Sequence, residues 1–168
     1  MKLLLLVLAI LLLLSGCSTR KVSKPSYKAK KTTSKATISK KKKSGNWINT
    51  ALSKEYEKWN AVPYKYGGTS RKGVDCSSLM QILYRDAFGL KIPRTTKSQA
   101  KIGYQIKKNS SKEGDLVFFK TGRNTRHSGI IIENGRFIHS STKYGVMVSS
   151  LNNPYWKSKY WQIRRVLP

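Results

Sequence analysis

What most limits how this 168-residue chain can fold is the uneven spread of its apolar residues. Residues 3–14 (LLLLVLAILLLL) are all apolar, and residues 18–46 are mostly Lys, Ser and Thr with almost nothing to bury. Only from Trp47 onward do apolar residues recur at the spacings a packed domain needs. A segment without apolar surface to bury cannot offset the entropy lost on ordering it. One folded domain over 47–168 is therefore expected, with 1–46 as appendages.

The apolar run is too short to be a membrane span. Twelve residues reach only about 18 Å as a helix, where a crossing takes roughly 20 residues. With Lys2 before it and Ser15 and Gly16 after it, the run reads as a secretory signal over 1–16. The next string, LSGC at 14–17, resembles the lipobox of bacterial lipoproteins. That resemblance implies cleavage before Cys17, a diacylglycerol on its thiol and an acyl chain on its new amino group. Several acyl chains anchor a protein stably where one does not. Ser18 behind the cysteine, rather than Asp, implies an exported lipoprotein of the outer membrane, facing the periplasm.

There are two cysteines, Cys17 and Cys76. A disulfide between them is one reading in an oxidising compartment. If Cys17 carries lipid, Cys76 is a lone thiol and a candidate nucleophile.

Net charge is +27. Residues 18–46 carry eleven Lys/Arg and no acid, and the part from Trp47 carries 22 basic and 7 acidic residues, still +15. Such charge is an argument about partners, not about fold. For an exported protein the polyanions at hand are anionic lipid headgroups and carboxylate-rich peptidoglycan, and no nucleic acid is expected. A second reading serves 17–46 equally well: a flexible tether of roughly 30 Å reach, kept solvated by its lysines.

Within the domain, Trp47, Ile48, Ala51, Leu52, Tyr56 and Trp59 share one face at helical spacing. The stretch YKYGGTSRKG (64–73) reads as a glycine-rich loop. Asp75 can cap a second helix running through Leu79, Ile82 and Leu83 to Gly89. Thr96 with Gln99 makes a capping box for a short third helix ending by Gly103. The period then changes, with strands expected over 115–120, 128–133, 136–140, 146–149 and 162–166. Helices first and strands second is an α+β layout: N-terminal helices packed on an antiparallel meander.

The chemistry-bearing residues are few. Cys76 falls just after the proposed cap in GVDCSSLM (73–80), where unpaired helix N–H groups and the positive end of the dipole stabilise a thiolate. A neighbouring imidazolium would stabilise it further. The two histidines, His127 and His139, lie on successive strands. A two-residue turn at Asn134–Gly135 would put them on opposite faces. A three-residue loop over 133–135 with Gly135 left-handed pairs 132 with 136 and makes them same-face diagonal neighbours. The three-residue loop is the prediction, with His127 as base and His139 orienting it.

GVDCSSLM, GDLVFFK (114–120), HSGIII (127–132) and RFIHSS (136–141) together resemble the NlpC/P60 family of papain-like cysteine peptidases acting on peptidoglycan. The tail NNPYWKSKYWQIRRVL resembles its lipoprotein members. The resemblance covers about residue 47 to the end. It implies a papain-like fold and hydrolysis of stem-peptide amides, with Cys76 as nucleophile, His127 as base and acid, and His139 as orienter. Tyr64, in PYKYGG, matches a tyrosine that helps bind substrate or the oxyanion, and Asp75 and Ser77 match residues that hold the stem peptide. Two departures, Ser78 for the usual glycine and Ser128 for a common valine, are expected to leave activity intact, with a narrowed site and altered preference the change open to either. No metal or cofactor is implied, since a helix-borne cysteine with no second cysteine or carboxylate nearby makes a poor zinc set. A monomer is expected. An amidase or acyltransferase on the same scaffold, or a non-catalytic wall-binding lipoprotein, are the alternatives.

Overall fold

The computed structural model describes residues 47–168; the expected signal (1–16), the expected lipidation at Cys17 and the expected basic tether (17–46) lie outside the described residues. The first helix, α1 (Trp47–Trp59), follows the apolar stripe. Leu52 is fully buried and Ile48, Tyr56 and Trp59 pack beside it. Trp47 departs from that stripe: at the helix start it meets the edge of Phe88 at 5.7 Å and stays 60% exposed.

The glycine-rich stretch is tighter than a loop, holding a two-stranded ladder of β1 (Thr69–Ser70) and β2 (Gly73–Val74). It delivers the chain to α2 (Cys76–Phe88), capped by Asp75 and ended by left-handed Gly89. The short α3 (Thr96–Gln99) is capped by Thr95, not Thr96, and stops at Gln99, before Gly103. Thr95 has the extended backbone a cap requires, and its hydroxyl accepts from the Ser98 N–H at 3.2 Å. Thr96 is already helical, so its hydroxyl is released for another use.

Six strands follow: β3 (Tyr104–Ile106), β4 (Leu116–Lys120), β5 (Arg126–Ile132), β6 (Arg136–Ser141), β7 (Gly145–Ser150) and β8 (Tyr160–Arg165). Their order in the sheet is β3-β8-β4-β5-β6-β7, with every neighbouring pair antiparallel. The meander holds for β4 to β7. The last strand does not extend it: β8 returns to pair with β4 on the far side, after a helix α4 (Pro154–Lys159) that starts on an Asn153 cap. Arg165 binds the buried Asp115 carboxylate with two bonds of 2.8 Å, and Gln162 donates to the Ala100 carbonyl at 2.9 Å. The first anchor ties β8 to the start of β4, and the second ties it to the end of α3.

The sheet is covered on both sides. Leu116, Phe118, Ile130 and Ile138 join Leu79, Met80 and Leu83 of α2 in the larger apolar cluster. The alternating residues Val117, Phe119, Ile131 and Phe137 form a second cluster, packed by Trp156 of α4. Period-two alternation makes these opposite faces of one sheet. Helices packed on an antiparallel sheet give the α+β, papain-like architecture expected.

Candidate active site

Asp75 prepares the start of α2. Its Oδ1 accepts from the Ser78 N–H (2.7 Å), the Ser77 hydroxyl (3.0 Å) and Arg94 Nη1 (3.1 Å). Its Oδ2 accepts from Arg94 Nη2 (2.6 Å) and the Gly67 N–H (3.1 Å). Burial alone would raise the Asp75 pKa, but the hydrogen bonds from Arg94, Ser78 and Ser77 and the Arg94 charge hold it below the ordinary value. Both oxygens are thus engaged within the chain, as cap and clamp, and the Ser77 hydroxyl is engaged with them.

Cys76, the first residue of α2, is a free and buried thiol. Its Sγ lies 3.6 Å from Thr96 Oγ1. It lines a cleft of about 520 Å³ together with Tyr64, His127, His139, Ser149 and Trp156. Burial, then the nearby Cys76 and Asp75, push the Tyr64 hydroxyl up, so it stays protonated and able to donate.

The two histidines meet. Ile132 pairs with Arg136 across a turn of Glu133–Gly135 in which Asn134 (φ 60°) and Gly135 (φ 65°) are both left-handed. This is the three-residue loop, and Asn and Gly are the residues that accept its conformation at least cost. His127 Nε2 lies 3.0 Å from His139 Nδ1, and His139 Nε2 lies 2.9 Å from Ser149 Oγ. If Ser149 accepts, His139 carries its proton on Nε2, accepts from His127 at Nδ1, and leaves His127 Nδ1 as the free basic nitrogen. The Trp156 ring stacks on His127 at 5.2 Å and meets His139 edge-on at 4.9 Å. Burial lowers the His127 pKa to about 4, and burial followed by the neighbouring His127 lowers that of His139 to about 3. Both rings are neutral at pH 7, so His127 stands ready as a proton acceptor rather than as a resting imidazolium.

Ser78 and Ser128 do not line this cleft. Both are buried with no hydrogen-bond partner for the hydroxyl. Ser128 alternates away from His127 on β5, toward the α2 side. Sequence reasoning missed Arg94, Thr96, Ser149 and Trp156. Each acts through a tertiary contact, and no local spacing announces it.

A family model described as the NlpC/P60 family matches residues 61–165. Over 163 residues, 96% of this chain and 97% of the relative, the chain is 45% identical to the Probable endopeptidase NlpC of Escherichia coli (strain K12). It is 36% identical over 168 residues, 95% of this chain and 89% of the relative, to the Murein DD-endopeptidase MepS/Murein LD-carboxypeptidase of the same strain. A crystal structure of an NlpC/P60 family protein from Bacillus cereus ATCC 10987 superposes with a TM-score of 0.64 at 31% identity, covering 71% of this chain and 40% of that one. With its motifs in one cleft and the match spanning nearly all of the folded domain, the chain belongs to the NlpC/P60 family of papain-like cysteine peptidases.

Proposed function

We propose that this cysteine peptidase is a peptidoglycan endopeptidase that hydrolyses a stem-peptide amide through Cys76. Its relatives are named as endopeptidases, one of them as a murein endopeptidase. The observation that carries the residue roles is the 3.0 Å bond between the two histidine rings in the cleft that Cys76 lines.

In this reading His127 Nδ1 takes the Cys76 proton and the thiolate attacks the scissile carbonyl. The developing oxyanion is met by the Cys76 and Ser77 N–H groups at the start of α2, which have no partner one turn earlier, and by the Tyr64 hydroxyl. His127 returns the proton to the leaving amine as the carbon–nitrogen bond breaks. It then takes a proton from water, which attacks the thioester and releases the new carboxylate with Cys76 restored. His139, held by Ser149, keeps the His127 ring oriented through both halves.

The placement of the enzyme follows from 1–46. LSGC at 14–17 supports a lipid on Cys17, and the eleven basic residues of 18–46 support a tether that reaches the polymer. The protein then works as a monomeric outer-membrane lipoprotein, at the periplasmic face.

Digestion of purified peptidoglycan, followed by mass spectrometry of the released fragments, tests the reading. Wild type releases peptide fragments and Cys76→Ala releases at least a thousandfold less. Equal release by both sinks the cysteine mechanism, and binding without cleavage by wild type favours the wall-binding alternative. Fragment masses also separate a cut at the D-glutamyl–diaminopimelate bond from one at the D-alanyl–diaminopimelate cross-link.

A further inference from the structure

The cysteine and histidines leave one close neighbour of the sulfur without a role. Thr96 is buried, and its hydroxyl oxygen lies 3.6 Å from Cys76 Sγ. Helical threonines commonly turn their hydroxyl to a carbonyl three or four residues back. Here Thr96 opens α3, so Ile92 and Pro93 precede the helix and their carbonyls do not stand one helical turn back. They accept from Gln81 Nε2 at 2.8 Å and Gln99 Nε2 at 2.9 Å, and among the described residues the Thr96 hydroxyl makes its hydrogen-bond contact with Cys76 Sγ alone. Capping of α3 falls to Thr95, so Thr96 is not needed there either.

The segment around Thr96 is fastened to the nucleophile from both sides. Arg94 binds Asp75 and Ser77, and Gln99 Nε2 also donates to the Ser77 carbonyl at 2.9 Å. Residues 94–99 therefore grip the chain just before and just after Cys76. Thr96 sits in the middle of that grip, facing the sulfur, yet outside the lining of the histidine cleft.

We propose that Thr96 is a further catalytic residue, whose hydroxyl donates a hydrogen bond to the Cys76 thiolate from behind the cleft. It rests on the reading of Cys76 as nucleophile. A hydroxyl suits the task because it stabilises the anion without competing for the proton that His127 takes. Hydrogen bonds to an ionised acceptor are about twice as strong as neutral ones, so the bond favours the thiolate over the thiol. It serves again when the thioester breaks and sulfur leaves as an anion.

Alkylation of Cys76 by iodoacetamide in the full-length protein, at pH 7 and at pH 10, tests this apart from hydrolysis. Thr96→Val keeps the shape and removes the donor, whereas Thr96→Ser keeps the donor and removes the methyl. At pH 7 Thr96→Val is expected to react about tenfold more slowly than wild type, with a matching loss in kcat/KM, while Thr96→Ser stays near wild type. At pH 10, where thiols ionise unaided, all three should react alike. Wild-type reactivity of Thr96→Val at pH 7 overturns the proposal. So does equal slowing at both pH values, or slowing of Thr96→Ser to the same extent, since either points to packing. Undiminished hydrolysis by Cys76→Ala would instead remove the nucleophile reading itself, and the alkylation comparison does not depend on it.

Discussion

Single residues in this site mostly decide where protons sit. Ser149 touches neither Cys76 nor any polar atom of His127, yet its contact at 2.9 Å ranks the two nitrogens of His139. Without it His139 can turn or change tautomer, and the 3.0 Å bond to His127 is no longer enforced. Ser149→Ala is therefore expected to lower kcat about tenfold with little change in KM, and Ser149→Thr to restore most of the loss. Steady-state kinetics on a soluble muropeptide checks this, and a change confined to KM would place Ser149 in substrate binding instead. Asp75 follows the same logic by another route. With five donors on its two oxygens it organises the nucleophile's surroundings rather than offering a free carboxylate to the cleft.

Among the elements, the β5–β6 hairpin carries the most consequence, because a one-residue slip would put one histidine on the wrong face. Its turn was legible from Asn134 and Gly135. The tolerance built into its strands was not, and Gly129 shows why. A Cβ there would lie 2.5 Å from the Phe137 ring and 2.9 Å from the Ile138 carbonyl. Phe137 cannot yield easily, because it packs on His139 at 5.0 Å and on Trp156 at 5.3 Å. Gly129→Ala is expected to cost about 1–3 kcal/mol and to reduce activity through the displaced histidines. Urea unfolding measures the first effect, and an unchanged midpoint would mean the hairpin accommodates the methyl freely.

For the whole domain, two buried, neutral histidines make stability depend on pH. Unfolding returns His127 from a pKa of about 4 to its ordinary 6.5, so the unfolded chain binds more protons below pH 6.5. Stability is then fully present above about 6.5 and is lost as pH falls toward 4, by roughly 3 kcal/mol for His127 alone at the lower end. His139, lowered to about 3, adds in the same direction. Denaturation at pH 7.5 and 4.5 should show this fall, and His139→Asn should flatten it. Equal stability at both pH values would mean that the rings are charged in the fold.

Local physics made several parts legible in the chain: the Asp75 cap and Gly89 stop of α2, the cores of β4 to β8, and the loop that sets the histidines on one face. Each rests on spacing or on backbone preference within about ten residues. Tertiary structure alone decided that β8 returns beside β4, that α4 lays Trp156 over the histidines, and that Arg94, Thr96, Ser77 and Gln99 close around Cys76. Those contacts join residues far apart in the chain, and they form only when side-chain shape and buried polar partners are satisfied together. Spacing along the chain does not encode that condition.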